Sequence, residues 1–279
     1  MDWFTTQCDQ LRAMFRGFFP APVTRSLMSL TRPALRLGAG PPDARCRLGG
    51  RPVLPAGVAW PAWGGRALEF VGVIDFAELG RAFWLPDLPG AGTAAFYYAT
   101  EMPRPWGDDP AQRDGWRVLP DADTPAGPAT RRAVRLGAAP FLSLPSPHEP
   151  VLGPVGAGVA GFDEIYPQLY ASWARFVWKD QPRHQSGGWP VVVQRTLWRD
   201  CALAAAGLPS DATGATTTDG EPAGAETAAH GWRLLLQLDS DERLGWLWGD
   251  TGFVYFSARA ADVRAGALDR SWLILQATP

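Results

Sequence analysis

His184 stands immediately before Gln185, Ser186 and the double glycine Gly187-Gly188. An imidazole changes charge near neutral pH, so it serves as general acid, general base or metal ligand. A glycine pair lets backbone approach a ligand closely and turns free N–H groups toward it. His184 is therefore the leading candidate for chemistry, and a loop histidine bonded to backbone is the plainer alternative. Further along, Leu236-Gln237-Leu238-Asp239-Ser240-Asp241 ends an apolar run in carboxylates, and Trp246 and Trp248 precede Gly249-Asp250-Thr251-Gly252. Such indole rings stack on a sugar or a peptide, or fill a core or a domain seam.

Other patterns fail on their own chemistry. Asp239, Asp241, Glu242 and Asp250 resemble a calcium loop, but Arg243 and Leu244 fill the positions where an oxygen ligand and a glycine are needed. Turn and cap carboxylates account for them better. Gly156-x-Gly158-x-x-Gly161 spells a dinucleotide fingerprint, yet Pro150 and Pro154 crowd the place of the strand that must precede it. Cys8, Cys46 and Cys201 are widely spaced with no C-x-x-C pair, and nothing in the flanks of Cys8 or Cys201 activates a thiolate. His148 lies in a Pro-rich loop, and no H-E-x-x-H motif supports a metal. No cofactor and no metal is expected.

The elements that must position these residues are short. The chain has 14 Trp, 27 Pro and 31 Gly, which favours short strands and many loops over long helices. Phe4, Cys8, Leu11, Phe15 and Phe18 predict a helix over 3–19, ended by Pro20 and Pro22. Residues 31–66 and 133–160 read as Pro- and Gly-rich connections. Leu68 to Ile74, Thr93 to Ala99 and Trp116 to Leu119 read as strands. Asp75 caps a helix over 79–85, with Glu78 reaching back in a capping box. Ile165, Leu169, Trp173 and Phe176 predict a second helix capped by Asp163. Val191 to Gln194 reads as a strand and Thr196 to Ala206 as a short helix. Leu234 to Leu238 and Phe253 to Phe256 are two further strands around an acidic turn. Residues 207–230 hold almost only Gly, Ala, Thr, Asp, Pro and Glu and read as a mobile loop.

The motifs recur in order. Leu48-Gly49-Gly50, the strand ending in Asp75 and Phe96-Tyr97-Tyr98 are answered by Ser186-Gly187-Gly188, the strand ending in Asp239 and Val254-Tyr255-Phe256. This predicts an internal duplication, with repeat one over about 45–130 and repeat two over about 180–279. Residues 1–44 form an N-terminal helix and connecting arm, and 45–279 form the main domain. The expected fold class is α+β, with mixed, largely antiparallel sheets built from two tandem pseudo-symmetric repeats and peripheral helices. Two such halves leave a cleft where they meet, a usual place for a ligand.

Taken together, Leu48-Gly49-Gly50-x-Pro52, the strand into Ile74-Asp75, His184-Gln185-x-Gly187-Gly188, Leu236-Gln237-Leu238-Asp239-Ser240-Asp241 and Trp248-Gly249-Asp250-x-Gly252 resemble the bacterial YwqG-like family of unknown function. The resemblance covers roughly residues 45–277 and implies a mixed α+β fold with tandem repeats. It brings no established activity. The family carries a glutamine near the end of the first strand, where this chain has Val73, while the second copy keeps Gln237.

Composition narrows the function. With 46% apolar and 19% charged residues the chain buries a sizeable core, and a net charge of −2 gives no basic surface for nucleic acid. The N-terminus lacks the basic region and long apolar run of a signal peptide, and no run reaches membrane length, so a reduced, cytoplasmic setting is expected. No catalytic constellation assembles. The expectation is a non-catalytic binding protein that recognises another protein, one version being an immunity or antitoxin-type inhibitor of a toxin. The alternative is an enzyme or small-ligand binder using a pocket at the repeat junction. In either case His184, Gln185, Gln237, Trp248 and Asp250 are expected to cluster around the binding surface.

Overall fold

The structure is a computed structural model and describes residues 2–193, 195–208 and 231–278. Helices α1 (Trp3–Arg16) and α2 (Ala21–Ser29) come first, then strands β1 (Arg32–Ala39), β2 (Arg47–Leu48), β3 (Val53–Leu54), β4 (Ala62–Trp63), β5 (Arg66–Ala67) and β6 (Glu69–Asp75). Helix α3 (Phe76–Ala82) leads to β7 (Thr93–Tyr98), β8 (Trp116–Pro120), β9 (Thr124–Pro125) and β10 (Val134–Ser143). Next come α4 (Gly153–Gly156), α5 (Phe162–Trp178), β11 (Gln185–Ser186) and α6 (Leu197–Ala205). The described chain closes with β12 (Trp232–Asp239), β13 (Phe253–Arg259), α7 (Ala260–Arg264) and β14 (Trp272–Gln276).

Strands β6, β7, β12 and β13 bury almost every residue on both faces, which is why their sequences read as continuous apolar runs. They belong to one ten-stranded sheet in the order β14-β13-β12-β11-β1-β10-β2-β6-β7-β8. Every neighbouring pair in it is antiparallel. At its centre β1 pairs with β10, from Arg32↔Ser143 to Ala39↔Leu136. The identical tetrapeptides Arg36-Leu37-Gly38-Ala39 and Arg135-Leu136-Gly137-Ala138 cross there, with Gly38 opposite Gly137. The two-residue strands flank this ladder, β11 against β1 and β2 against β10. One register irregularity falls between Phe70 and Gly72 and another between Leu234 and Leu236.

The sheet curls until its edges meet, giving a nearly closed barrel. Phe96 of β7 meets Phe256 of β13 edge to face at 5.0 Å. Trp116 Nε1 of β8 donates to the Ser271 carbonyl beside β14 at 3.1 Å, and Leu275 N of β14 donates to the Trp106 carbonyl at 2.8 Å. The barrel interior is the main core, which includes Leu48, Phe96, Trp116, Leu236, Trp248 and Phe256. Helices α1, α2 and α5 pack outside on β1 and β10 through Leu11, Phe15, Leu27, Phe141 and Trp173.

Several expectations are corrected here. The Pro- and Gly-rich stretches 31–66 and 133–160 contain β1 and β10, the centre of the sheet. Pro33 and Pro140 are tolerated because β2 and β11 are too short to reach past them, so no second neighbour needs their missing N–H. Helix α1 stops at Arg16 with Gly17 as its C-cap, short of the expected residue 19, and Pro20 and Pro22 instead open α2, since proline in a first turn forfeits no helical bond. Helix α5 starts from Gly161 rather than Asp163, and its buried face is Phe162, Tyr166, Leu169, Trp173 and Val177; Phe176 is 48% exposed. Val191 to Val193 form no strand, because the Val191 N–H is taken by a side chain. Residues 209–230, most of the expected loop at 207–230, lie outside the described residues.

Asp75 caps α3 by accepting from Glu78 N at 2.9 Å. Glu78 does not reach back to complete the box; its Oε2 accepts from Arg45 N at 2.7 Å instead. Arg45 pairs with Asp75 at 3.0 Å. Asp75→Ala is expected to lower stability by about 1–2 kcal/mol, since it removes the cap and leaves Arg45 only solvent. Urea denaturation of both proteins checks this.

Candidate functional site

The segment 183–189 is threaded between strands. β11 holds only Gln185 and Ser186 and sits between β1 and β12, with Gln185 opposite Gln237. The chain then turns through Gly187 and Gly188 at φ of 71° and 67°. A side chain at Gly188 would strike Ser143 Oγ at 2.4 Å and Ala34 Cβ at 2.6 Å, so close packing as well as backbone conformation demands glycine. The turn delivers Trp189, whose N donates to Ser143 Oγ at 2.8 Å and whose Nε1 donates to the Leu30 carbonyl at 2.7 Å.

His184 is wholly buried and fully engaged. Its Nδ1 accepts from Asp239 N at 3.2 Å, which requires the proton on Nε2. Nε2–H then donates to Asp241 Oδ2 at 3.1 Å. Arg243 adds a fork of bonds to the same carboxylate, the shortest 2.6 Å. Burial pushes the Asp241 carboxyl up, but the bonds from His184 and Arg243 outweigh it and hold the group below the usual carboxylate range. Gln237 ties two loops together, donating from Nε2 to the Arg183 carbonyl at 2.7 Å and accepting at Oε1 from Val191 N at 2.8 Å. Asp239 accepts from Ser240 N at 2.8 Å and from Arg183 N at 2.9 Å, with the Arg183 guanidinium at 3.3 Å. Trp248 is buried, donates from Nε1 to the Asp239 carbonyl at 3.0 Å, and packs beside Tyr98 and Trp246.

Four of the five residues singled out by sequence thus share one connected network: His184 and Trp248 both bond to Asp239, and Gln185 pairs with Gln237. Asp250 is exposed in the turn after Trp248. Among the described residues, no group of three or more His, Cys, Asp or Glu side chains is placed to hold a metal ion. Burial pushes the Cys46 thiol up to about 12 and the Cys201 thiol well above its ordinary range, so neither is an activated thiolate.

Beside this network an open groove of about 620 Å³ runs along α5, lined by Tyr170, Ala174, Trp178, Arg183, Val191 and Asp239 among others. Tyr170, Ala174, Trp178 and Val191 also border a smaller inner cavity of about 20 Å³, which reaches Gln185. The Gln185 amide has a fixed orientation, because Nε2 donates to the carbonyls of Gly187 at 2.8 Å and Trp189 at 2.7 Å. Its Oε1 is buried, and no described residue donates to it.

Sequence reasoning missed Tyr170 and Arg183. A signal for the first exists: Tyr166, Tyr170, Ala174 and Trp178 recur at four-residue spacing along one stripe of α5. For the second, Arg183 and Arg45 each stand five residues before the second glycine of a pair.

A second groove, of about 930 Å³, is lined by His148, Glu149, Asp163 and Tyr166 among others. Gly156 and Gly158 also lie along it. Burial pushes the Glu149 carboxyl up to about 7 against the opposing charge of Arg32. A raised pKa means that the folded protein favours the protonated form. That contribution is present below the ordinary carboxyl pKa and is lost as the pH rises through about 7. Glu149→Gln is expected to raise stability near pH 8 by about 2 kcal/mol and to change it little near pH 5. Denaturation midpoints at the two pH values check the sign.

A family described as Domain of unknown function (DUF1963) matches residues 46–277. No curated protein matches the chain.

Proposed function

We propose, from the premise that this chain belongs to the DUF1963 family, that it is a non-catalytic binding protein whose groove along α5 receives a segment of another protein. The observation that carries this reading is the state of His184. Both of its ring nitrogens are engaged, one by the Asp239 N–H and the other by the Asp241 carboxylate, and the ring is buried. A general base must reach a substrate proton, and this imidazole serves the fold instead. The groove beside it is lined by Tyr170, Ala174, Trp178 and Val191 together with mixed charges, Arg175 and Arg183 against Asp180 and Asp239. That balance suits a polypeptide better than a strongly charged ligand. An inhibitor of the immunity or antitoxin type is one version of this role.

The motifs support placing the chain with the YwqG-like proteins, and further features support a duplication. The sheet order has the same pattern from either edge inward, a short strand beside a long central one. Arg45 pairs with Asp75 as Arg183 pairs with Asp239. Cys46 Sγ accepts the Asp75 N–H at 3.2 Å, as His184 Nδ1 accepts the Asp239 N–H at 3.2 Å. On this reading His184 descends from a structural position. A cytoplasmic location is part of the same proposal, supported by three unpaired cysteines.

The test is capture from native lysate by the immobilised chain and by an Ala174→Trp variant that fills the groove. A stoichiometric protein held by the first and lost by the second supports the reading. Equal capture by both excludes the groove, and capture of no protein excludes the protein-partner role.

A further inference from the structure

The inner cavity behind the groove has a specific chemistry. Its volume of about 20 Å³ admits one water-sized group. Phe141, Leu144, Trp173, Val177 and Trp178 give it apolar walls. Gln185 Oε1 is an acceptor whose orientation is fixed and which no described residue satisfies. Ser143 Oγ, also on the wall, already donates to the Arg32 carbonyl and accepts from Trp189 N, both at 2.8 Å. Tyr170 lines both the inner cavity and the groove, and its hydroxyl has no hydrogen bond to a described residue. It is a rotatable group that both donates and accepts.

We propose that this cavity is a subsite for a terminal hydroxyl on a slender apolar stem, donating to Gln185 Oε1 and accepting from Tyr170. The proposal rests on the reading of the groove as the recognition surface, since the stem must enter between Tyr170, Ala174, Trp178 and Val191. Magnitudes decide the head group. An ammonium would fit by size, but no carboxylate lines the inner cavity, and a buried cation without an anionic partner is strongly disfavoured. A methyl group would leave the Gln185 oxygen without a donor, which costs a buried acceptor its hydration. A hydroxyl has one donor and lone pairs in the space of one water. Its source is either a seryl or threonyl side chain of a bound segment or a small alcohol.

The experiment follows the Gln185 side-chain amide by NMR during titration with 1-butanol and with its isomer diethyl ether, which has the same atoms but no donor. Blocked serine (N-acetyl-serine N-methylamide) and n-butylammonium complete the series. The expected result is a saturable shift with butanol, at least roughly tenfold weaker with the ether and the ammonium. A response to blocked serine at comparable concentration assigns the subsite to a protein segment, and a response to butanol alone assigns it to a small alcohol. Ala174→Trp should abolish the shift. Tyr170→Phe, which keeps the ring and the packing, should weaken it about tenfold. Three results overturn the proposal: no saturable shift, equal binding of the ether, or butanol binding unchanged in Ala174→Trp. The partner reading fails separately. Butanol binding without captured protein removes the partner and keeps the subsite; capture through the groove without a butanol response removes the subsite alone.

Discussion

Asp241→Ala is expected to cost about 3 kcal/mol of stability, because it removes the acceptor that satisfies a buried imidazole N–H and a charged guanidinium together. The Asp241 side chain is 1% exposed and so is that of His184, so water cannot replace the bond where it is made. The imidazole cannot escape by changing tautomer. Its Nδ1 faces the Asp239 N–H at 3.2 Å, and a proton there would set donor against donor. Arg243 is less committed, with a side chain 39% exposed, and will turn to solvent. Most of the loss therefore falls on His184 and on the turn that Asp241 caps through Arg243 N at 2.9 Å. The pH dependence has a defined sign. The Asp241 carboxyl lies below its ordinary range when folded, so its contribution is present above the pKa of the unfolded carboxylate and is withdrawn as the pH falls. Acid denaturation of the native protein should show that slope, and the variant should lack it. Denaturant titrations from neutral to acid pH measure both, and a variant that keeps native stability at neutral pH would remove the network from the structural account.

Gly188→Ala is expected to cost about 4 kcal/mol, from a left-handed backbone that a side chain strains and from contacts that cannot relax cheaply. The obstacles are Ser143 Oγ at 2.4 Å, Ala34 Cβ at 2.6 Å and the Pro33 carbonyl at 3.2 Å, all on the central strands. Gly57 is the internal control, with φ of 74° and nothing within 4 Å of an added side chain. Gly57→Ala should cost only the conformational part, about 1 kcal/mol. Thermal melts of the two variants separate strain from collision, and equal losses would mean that the β1–β10 ladder moves aside freely.

Strands β6, β7, β12 and β13 were legible because they are buried on both faces and write themselves as apolar runs, as Phe253-Val254-Tyr255-Phe256 does, whereas β14 at the edge was not read. The central strands were not. β1 reads Arg32-Pro33-Ala34-Leu35-Arg36-Leu37-Gly38-Ala39 and β10 carries Gly137 and Pro140, residues that local propensity assigns to loops. Their pairing is a tertiary fact, and the one local trace of it was the repeated Arg-Leu-Gly-Ala. β1 even lies ahead of the family match, which begins at residue 46. At the candidate site, sequence singled out His184, Gln185, Gln237 and Trp248 as a group, which the fold connects, but periodicity carries no record of which polar atoms are used up. The burial of His184 and the unsatisfied oxygen of Gln185 are settled by neighbours distant in the chain. The alternation of apolar and polar residues cannot encode that.

The β1–β10 ladder joins residues roughly a hundred positions apart, and every other strand of the sheet hangs from it on one side or the other. The N-terminal strand therefore waits during synthesis for a partner made much later, and until that partner arrives β2 has only β6 to pair with. Closing such a span carries its entropic cost before any contact repays it. The molecule should fold slowly and in a single cooperative step, with hydrogen exchange slowest along β1 and β10 and no half of the chain protected alone.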